Sequence, residues 1–314
     1  MKILIIGSGN IGSLLGALLT KSGQDVTLVE VRNEIVETIK KDGIRLDLSD
    51  GNTIQEKVNI TDDISSAGTP DLIILAVKSY STRNAIQEVI PIIGENTWVM
   101  SVQNGAGNLE IITSVLGDNS HIVGGIFLCS ITPLKLNQFS WVVGTGGLKI
   151  GPVNGVMSPM IDNIAEMFVN SGIEVVTSDK VQNLIWSKVL QNVPLALSAT
   201  LRLTNDEFVT YPHSEELIIK MAQECVDVSN ALGVTLDHPE DPIKPLLDTI
   251  QRFHDSGTKP KSSMLQDLEN GRKTEIDAIN GSIVREGERL GIPTPVNAVM
   301  VDLVKTQEEK HCNY

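Results

Sequence analysis

The apolar positions of this chain follow two regimes. Through the first half they gather into short, β-branched runs separated by amphipathic or Gly-rich segments. Beyond about residue 178 they recur at helical spacing with no strand-like run. "KILIIG" opens as a strand suited to burial on both faces. "SGNIGSLLGALLTKSG" continues as a turn and a helix closed by Gly23, and "DVTLVE" forms a second strand. This is the strand–helix–strand unit of a parallel sheet. The alternation goes on with a helix in "NEIVETIKKDG", extended chain around an Asp50-Gly51 turn, a buried strand in "DLIILAVK" and a helix in "STRNAIQEVIPII". "TWVMSVQNG" reads as a strand ending in a loop, and "HIVGGIFLCSITPL" and "SWVVGTGGLKIG" read as strands. "PMIDNIAEMFVNSG" is an amphipathic helix and "IEVVTSD" a last short strand. Helices are then predicted over roughly 180–201, 213–232, 240–255, 263–270, 274–290 and 295–309. The expected fold class is α/β: a doubly wound parallel sheet over residues 1–178 and an all-helical domain over 179–314.

Bulk properties narrow the partners. The chain has 314 residues, 41% apolar and 20% charged, ordinary for a soluble protein with a large core. Its net charge of −14 argues against a nucleic-acid partner, yet a local basic pocket can still take a small anion. Cys129, Cys225 and Cys312 are odd in number and widely spaced, with no CxxC pair. Neither a disulfide framework nor a metal site is expected, and a reducing cytoplasm fits. The apolar run "ILIIG" is too short to cross a bilayer, and only Lys2 separates it from Met1, so neither a membrane span nor a signal peptide is expected there.

"GSGNIG" supplies Gly7, Ser8, Gly9, Asn10, Ile11 and Gly12 directly after a strand and at the opening of a helix. Gly7 allows the tight turn, Gly9 lets the backbone approach a pyrophosphate, and Gly12 lets helix and strand pack closely. The helix-start N–H groups then meet the phosphates. The first domain therefore reads as a Rossmann dinucleotide-binding domain. Glu30 ends the second strand, 18 residues beyond Gly12, where a carboxylate can bond the adenosine ribose and repel a 2′-phosphate. That favours NAD(H), although Arg32 is close enough to neutralise such a phosphate. Lys78 and Asn104 follow the next two buried strands, where loops line the ligand crevice of an open sheet. Asn104 precedes a glycine, so plain turn chemistry is its other reading.

In the second half, "IWSKVLQN" puts Lys188 and Asn192 four residues apart on a helix that begins at the domain seam, predicted at 177–180. A lysine at the edge of an apolar face is ordinarily a snorkelling one. Its position at the seam, a kink expected at Pro194 and the anionic ligands implied elsewhere favour a site residue instead. Ser263 and Gln266 fit a capping box, and a helix start with a free hydroxyl can receive a carboxylate. Thr274 is expected to start a longer helix with Ile276, Ile279 and Ile283 buried and Glu275 in its first turn.

Taken together these residues resemble the ketopantoate reductase family over essentially the whole chain: "GSGNIG", "AVKSY", "VQNG", "WSKVLQN" and "SSMLQDLENGRKTEIDAINGSIV". The resemblance implies a Rossmann domain and a helical domain with the active site in the cleft. It implies hydride reduction of the 2-keto group of 2-dehydropantoate to D-pantoate in pantothenate synthesis, with NADP(H) as the family's coenzyme. It also implies that Lys188 is the catalytic lysine and that Glu275 lies near the nicotinamide ribose. Asn104 would then lie near cofactor and substrate, while Asn192 and Ser263 contact substrate. Two departures stand out. Family members often carry a basic residue at or beside Val31, which here follows Glu30, and many carry a second Asn where this chain has Ala196. Both leave room for an NAD-dependent D-2-hydroxyacid dehydrogenase of the same superfamily. A non-catalytic dinucleotide-binding redox sensor is the reading from another class. A helical C-terminal domain in this family can pair, so a monomer or homodimer is expected.

Overall fold

The computed structural model describes residues 1–143 and 146–311. Cys312, and Gly144 and Thr145 within the predicted strand "SWVVGTGGLKIG", lie outside the described residues. The chain forms two compact units, Met1–Gln103 with Asn108–Val181, and Asn104–Gly107 with Gln182–Tyr314.

The first unit is built on an eight-stranded sheet. Its strands are β1 (Lys2–Ile6), β2 (Asp25–Val29), β5 (Asn59–Thr61), β6 (Leu72–Leu75), β7 (Trp98–Ser101), β8 (Ile122–Phe127), β11 (Leu148–Pro152) and β12 (Val175–Thr177), in the order β12-β11-β8-β7-β6-β1-β2-β5. From β5 across to β8 every pair is parallel, in register Ile3↔Val26 on one side of β1 and Ile3↔Leu72 on the other. The central strands are largely apolar, and every residue of β6, β7 and β8 and all of β1 after Lys2 are buried, as a sheet covered on both faces requires. The sheet is not wholly parallel, which corrects the sequence expectation. β11 runs antiparallel to β8 and takes β12 with it, because β8 and β11 are joined through a second sheet and not by a crossover helix. That four-stranded sheet has the order β4-β3-β10-β9, with β3 (Ile44–Leu48), β4 (Thr53–Glu56), β9 (Ser130–Lys135) and β10 (Gln138–Val142). Thus "HIVGGIFLCSITPL" divides between the two sheets.

Helices α1 (Asn10–Lys21), α2 (Asn33–Asp42), α3 (Thr82–Val89), α4 (Asn108–Leu116) and α5 (Pro159–Asn170) accompany these sheets. The core of the unit is aliphatic, with Leu14, Leu15, Leu19, Leu28, Ile74, Ile161 and Phe168 among its buried members. Helix α4 escapes the sequence pattern. "NLEIITSVL" is rich in β-branched residues of modest helix propensity and follows a Gly-rich loop, and of its apolar residues just Leu109 and Ile112 are fully buried, beside Asn108.

The second unit holds α6 (Val181–Asn192), most of which belongs here, and α7 (Leu195–Leu201), α8 (Pro212–Ala231), α9 (Lys244–Ser256), α10 (Ser263–Glu269), α11 (Asn280–Leu290) and α12 (Pro295–His311). The predicted helix over 180–201 is two helices. Pro194 has no N–H for the Leu190 carbonyl, which takes the Val193 N–H in a tighter turn at 3.3 Å instead. The helix expected from Thr274 starts only at Asn280. The Ala278 carbonyl accepts from the Ala106 N–H at 2.8 Å, so it is unavailable to a continuing helix, and Glu275 sits in an irregular turn ahead of α11. Ile276, Ile279 and Ile283 are buried as expected. Among the described residues, no helix is long and apolar enough to cross a membrane.

Candidate active site

In the first unit the chain leaves β1 through Gly7, whose φ of +99° suits glycine. A side chain at Gly12 would put a Cβ 1.9 Å from the Gly7 carbonyl oxygen, so close packing of α1 on this loop demands glycine there. Gly9 is different: among the described residues a Cβ would meet nothing within 4 Å. Open space above a glycine at a helix start is what a pyrophosphate needs. Among the described residues no side chain caps α1 at Gly9, which leaves the first N–H groups of Asn10, Ile11 and Gly12 for an anion. These residues fit a bound dinucleotide.

Glu30, at the end of β2, is 5% exposed. Its Oε2 accepts from the Ser8 hydroxyl at 2.6 Å and from Arg32 Nη2 at 2.8 Å. Its Oε1 accepts from Arg32 Nε at 2.9 Å and from the Arg32 backbone N–H at 3.1 Å. Burial alone would raise its pKa, but the hydrogen bonds from Arg32 and Ser8 and the Arg32 charge outweigh it and hold the carboxyl at about 2. The Arg32 pKa is raised in turn, first through its bond to Glu30. The sequence placed Glu30 and Arg32 near one another but gave no sign that Ser8 joins them, because that contact depends on β1 and β2 lying in register.

Half-buried Lys78 follows β6 and precedes a short 3-10 turn, Ser79–Ser81. The backbone before it is held by a residue that the sequence reading passed over. Gln103 Nε2 donates to the Val77 carbonyl at 2.9 Å and to the Thr82 hydroxyl at 2.8 Å, and its Oε1 accepts from the Ser101 hydroxyl at 3.0 Å. Two polar residues alternating at the end of the apolar strand, Ser101 and Gln103, were the available signal.

In the second unit the loop Asn104–Gly107 docks on the turn before α11. Asn104 Nδ2 donates to Glu275 Oε2 at 3.4 Å across 171 positions, and Ala106 bonds Ala278. Gly105, with φ +83°, lies so close that a Cβ would stand 2.3 Å from the Ala278 carbonyl oxygen. Glu275 is only 6% exposed. On α6, Lys188 is half-buried and Asn192 is buried, one turn apart. Their neighbours on the helix anchor a following loop, with the Ser187 hydroxyl accepting from the Asp237 N–H at 2.9 Å and Asn183 Oδ1 from the Thr235 N–H at 3.2 Å.

The cap of α10 differs from the expected one. Ser262, not Ser263, is the N-cap, its hydroxyl accepting from the Leu265 N–H at 3.1 Å and donating to the Ser198 hydroxyl at 2.8 Å. Gln266 reaches the Lys261 carbonyl instead of closing a capping box. Ser263 is left exposed as the first helical residue. Cys225 is fully buried, and burial pushes its thiol up to about 12, which makes it inert.

A Gly-rich loop between a central strand and a helix, with an acid closing the neighbouring strand and a helical unit bearing Lys188, defines an NAD(P)-dependent oxidoreductase of the two-domain dehydrogenase type. The family model described as "Ketopantoate reductase PanE/ApbA" matches residues 3–155, and that described as "Ketopantoate reductase PanE/ApbA C terminal" matches residues 180–308. The chain belongs to the ketopantoate reductase family. It is 31% identical over 310 residues to the 2-dehydropantoate 2-reductase of Pyrococcus horikoshii, covering 98% of each chain. It is 31% identical over 314 residues to that of Aquifex aeolicus, covering 98% of this chain and 97% of the relative. Among solved structures it resembles the PanE/ApbA family ketopantoate reductase of Ralstonia eutropha JMP134, with a TM-score of 0.87 and 31% identity over 99% of both chains. It also resembles D-mandelate dehydrogenase in a ternary structure with NADH and anilino(oxo)acetate, with a TM-score of 0.89 and 26% identity over 99% of both chains.

Proposed function

We propose that this protein is a 2-dehydropantoate 2-reductase, reducing the 2-keto group to D-pantoate in cytoplasmic pantothenate synthesis. The observation that carries the reading is the Asn104–Glu275 hydrogen bond, which joins two motifs far apart in the chain within the unit that also holds Lys188 and Asn192. A bound reduced nicotinamide supplies the hydride that adds to the keto carbon. Lys188 polarises the carbonyl oxygen as negative charge grows there and gives it a proton, which solvent then restores. Asn192 and Ser263 hold the hydroxyl and carboxylate ends, so that the keto carbon is presented in a reactive orientation. Asn104 and Glu275 orient the nicotinamide ribose. The backbone of Gly7–Gly12 holds the pyrophosphate, and Lys78 adds a positive charge beside it.

We propose NADH as the preferred coenzyme, with Arg32 keeping NADPH usable. Ionised and buried, Glu30 opposes a 2′-phosphate, while the half-exposed Arg32 partly offsets it. Glu30→Gln is expected to shift the ratio of kcat/KM values toward NADPH by about tenfold or more, since one lost ionic repulsion is worth roughly 1.4 kcal/mol or above. An unchanged coenzyme ratio would remove Glu30 from the selectivity role. The same residue sets a stability signature. Its folded pKa of about 2 lies below its ordinary value of 4.5, so its contribution is full above about pH 4.5 and is lost as pH falls toward 2. Thermal unfolding of Glu30→Gln should therefore depend less on pH across that window than wild type.

A second reading is favoured by one residue. Ala196 is fully buried on α7, and the resemblance leads one to expect an Asn there in many members. A missing amide would admit other 2-keto acids, as in an NAD-dependent D-2-hydroxyacid dehydrogenase. Turnover of 2-dehydropantoate, 2-ketoisovalerate and benzoylformate, each with NADH and NADPH, separates the readings. The first is expected to win by at least about tenfold in kcat/KM. Tight coenzyme binding with no oxidation by any of the three would point instead to a dinucleotide sensor.

A further inference from the structure

The break between α6 and α7 leaves a buried carbonyl, that of Val193, and it is met by a side chain from α11. Asn280 is 0% exposed. Its Nδ2 donates to the Val193 carbonyl at 3.2 Å and to Asn297 Oδ1 at 2.9 Å. These two acceptors fix which way its amide faces. Asn297 Nδ2 passes the chain on, donating to Glu224 Oε2 at 2.7 Å and to the Met221 carbonyl at 3.0 Å. The Glu224 carboxylate accepts from the backbone N–H groups of Val296 and Asn297 at 2.8 and 2.9 Å, which caps α12 from α8. The result is a continuous buried polar line from the N-terminus of α12 to the residue next to Asn192.

From this we infer that Asn280 is a positioning residue for the substrate-binding end of α6, acting through the Val193 carbonyl; the inference rests on the function proposed above. Pro194 has no N–H for the Leu190 carbonyl, so a longer Val193 N–H bond of 3.3 Å replaces the helical one at the break, and the Asn280 amide adds a tie to the Val193 carbonyl from outside the helix. A buried carbonyl that loses its donor seeks another partner, and the chain around it moves. Asn192 adjoins Val193, whereas Lys188 lies a full turn earlier in the regular helix. Disturbing the pin therefore affects substrate binding more than the proton-transfer step. Among the described residues the Asn280 Oδ1 is buried without a hydrogen-bond partner, so the contacts of this side chain are those of its amide N–H groups.

The test compares Asn280→Ala and Asn280→Ser with wild type. The expected result for Asn280→Ala is a rise of about tenfold in the KM for the 2-keto acid, the scale of one lost hydrogen bond, with kcat lowered less. Coenzyme Kd, read by fluorescence, should stay within about twofold, and Asn280→Ser, which keeps one donor, should recover part of the loss. Amide hydrogen exchange should quicken in residues 193–198 and not across the rest of the helical unit. The inference is overturned if KM is unchanged in a folded variant, or if exchange rises uniformly or both variants unfold, since those results assign Asn280 to general stability. If wild type reduces no 2-keto acid, the functional reading falls, and the exchange pattern alone decides whether Asn280 pins the break.

Discussion

Lys188→Ala is expected to lower turnover by at least about 100-fold, the scale of a lost general acid or oxyanion donor. Lys188 is the cation that α6 carries one turn before the buried amide of Asn192. In the proposed reaction the oxygen gains charge only as hydride arrives, so an ammonium beside it stabilises the transition state more than the ground state. The loss should therefore appear in kcat as well as in kcat/KM, with coenzyme affinity little changed because the phosphate loop is untouched. Lys188→Arg refines the test. A guanidinium keeps the charge but does not release a proton, so substrate KM should stay near wild type while kcat remains low. Steady-state kinetics with 2-dehydropantoate and direct coenzyme titration measure both, and a fully active Lys188→Ala enzyme would end the assignment.

Gly12→Ala and Gly9→Ala should part company, and the contrast tests the phosphate loop itself. At Gly12 the new Cβ would stand 1.9 Å from the Gly7 carbonyl oxygen, and the obstruction is backbone. The loop or α1 must move, so stability should drop by about 1–3 kcal/mol and coenzyme affinity should fall with it. At Gly9 a methyl meets no atom of the described residues within 4 Å. Thermal stability there should stay within about 0.5 kcal/mol of wild type. Coenzyme affinity should nevertheless fall by about 100-fold or more, because the methyl occupies the space that the pyrophosphate must approach. Undiminished binding in Gly9→Ala would mean that the open space over this glycine does not serve a dinucleotide.

Local residues revealed much of this. "KILIIGSGNIG" carries strand, turn and helix start in eleven consecutive residues, each choice enforced by short-range sterics, and β1 and α1 form there. The break at Pro194 was legible for the same reason, since a missing N–H is a property of one residue. Where partners lie far apart in the chain, the local signal misled. Ser263 looked like the cap of α10, but Ser262 takes that place because Ser198 is there to receive its hydroxyl. Thr274 looked like a helix start, but its N–H and hydroxyl both go to Glu308, each at 2.6 Å, and the helix waits for Asn280.

The order of residues alone determined the two regimes of hydrophobic spacing, the glycine loop and the identity of the groups able to do chemistry, because periodicity, φ preference and functional-group type belong to each residue and its near neighbours. Tertiary structure alone decided that Ser8 joins Arg32 on Glu30, that Asn104 meets Glu275 and that Asn280 reaches the Val193 carbonyl. Those contacts join side chains brought together by strand register and helix packing, and a buried donor takes whichever acceptor the folded chain sets before it.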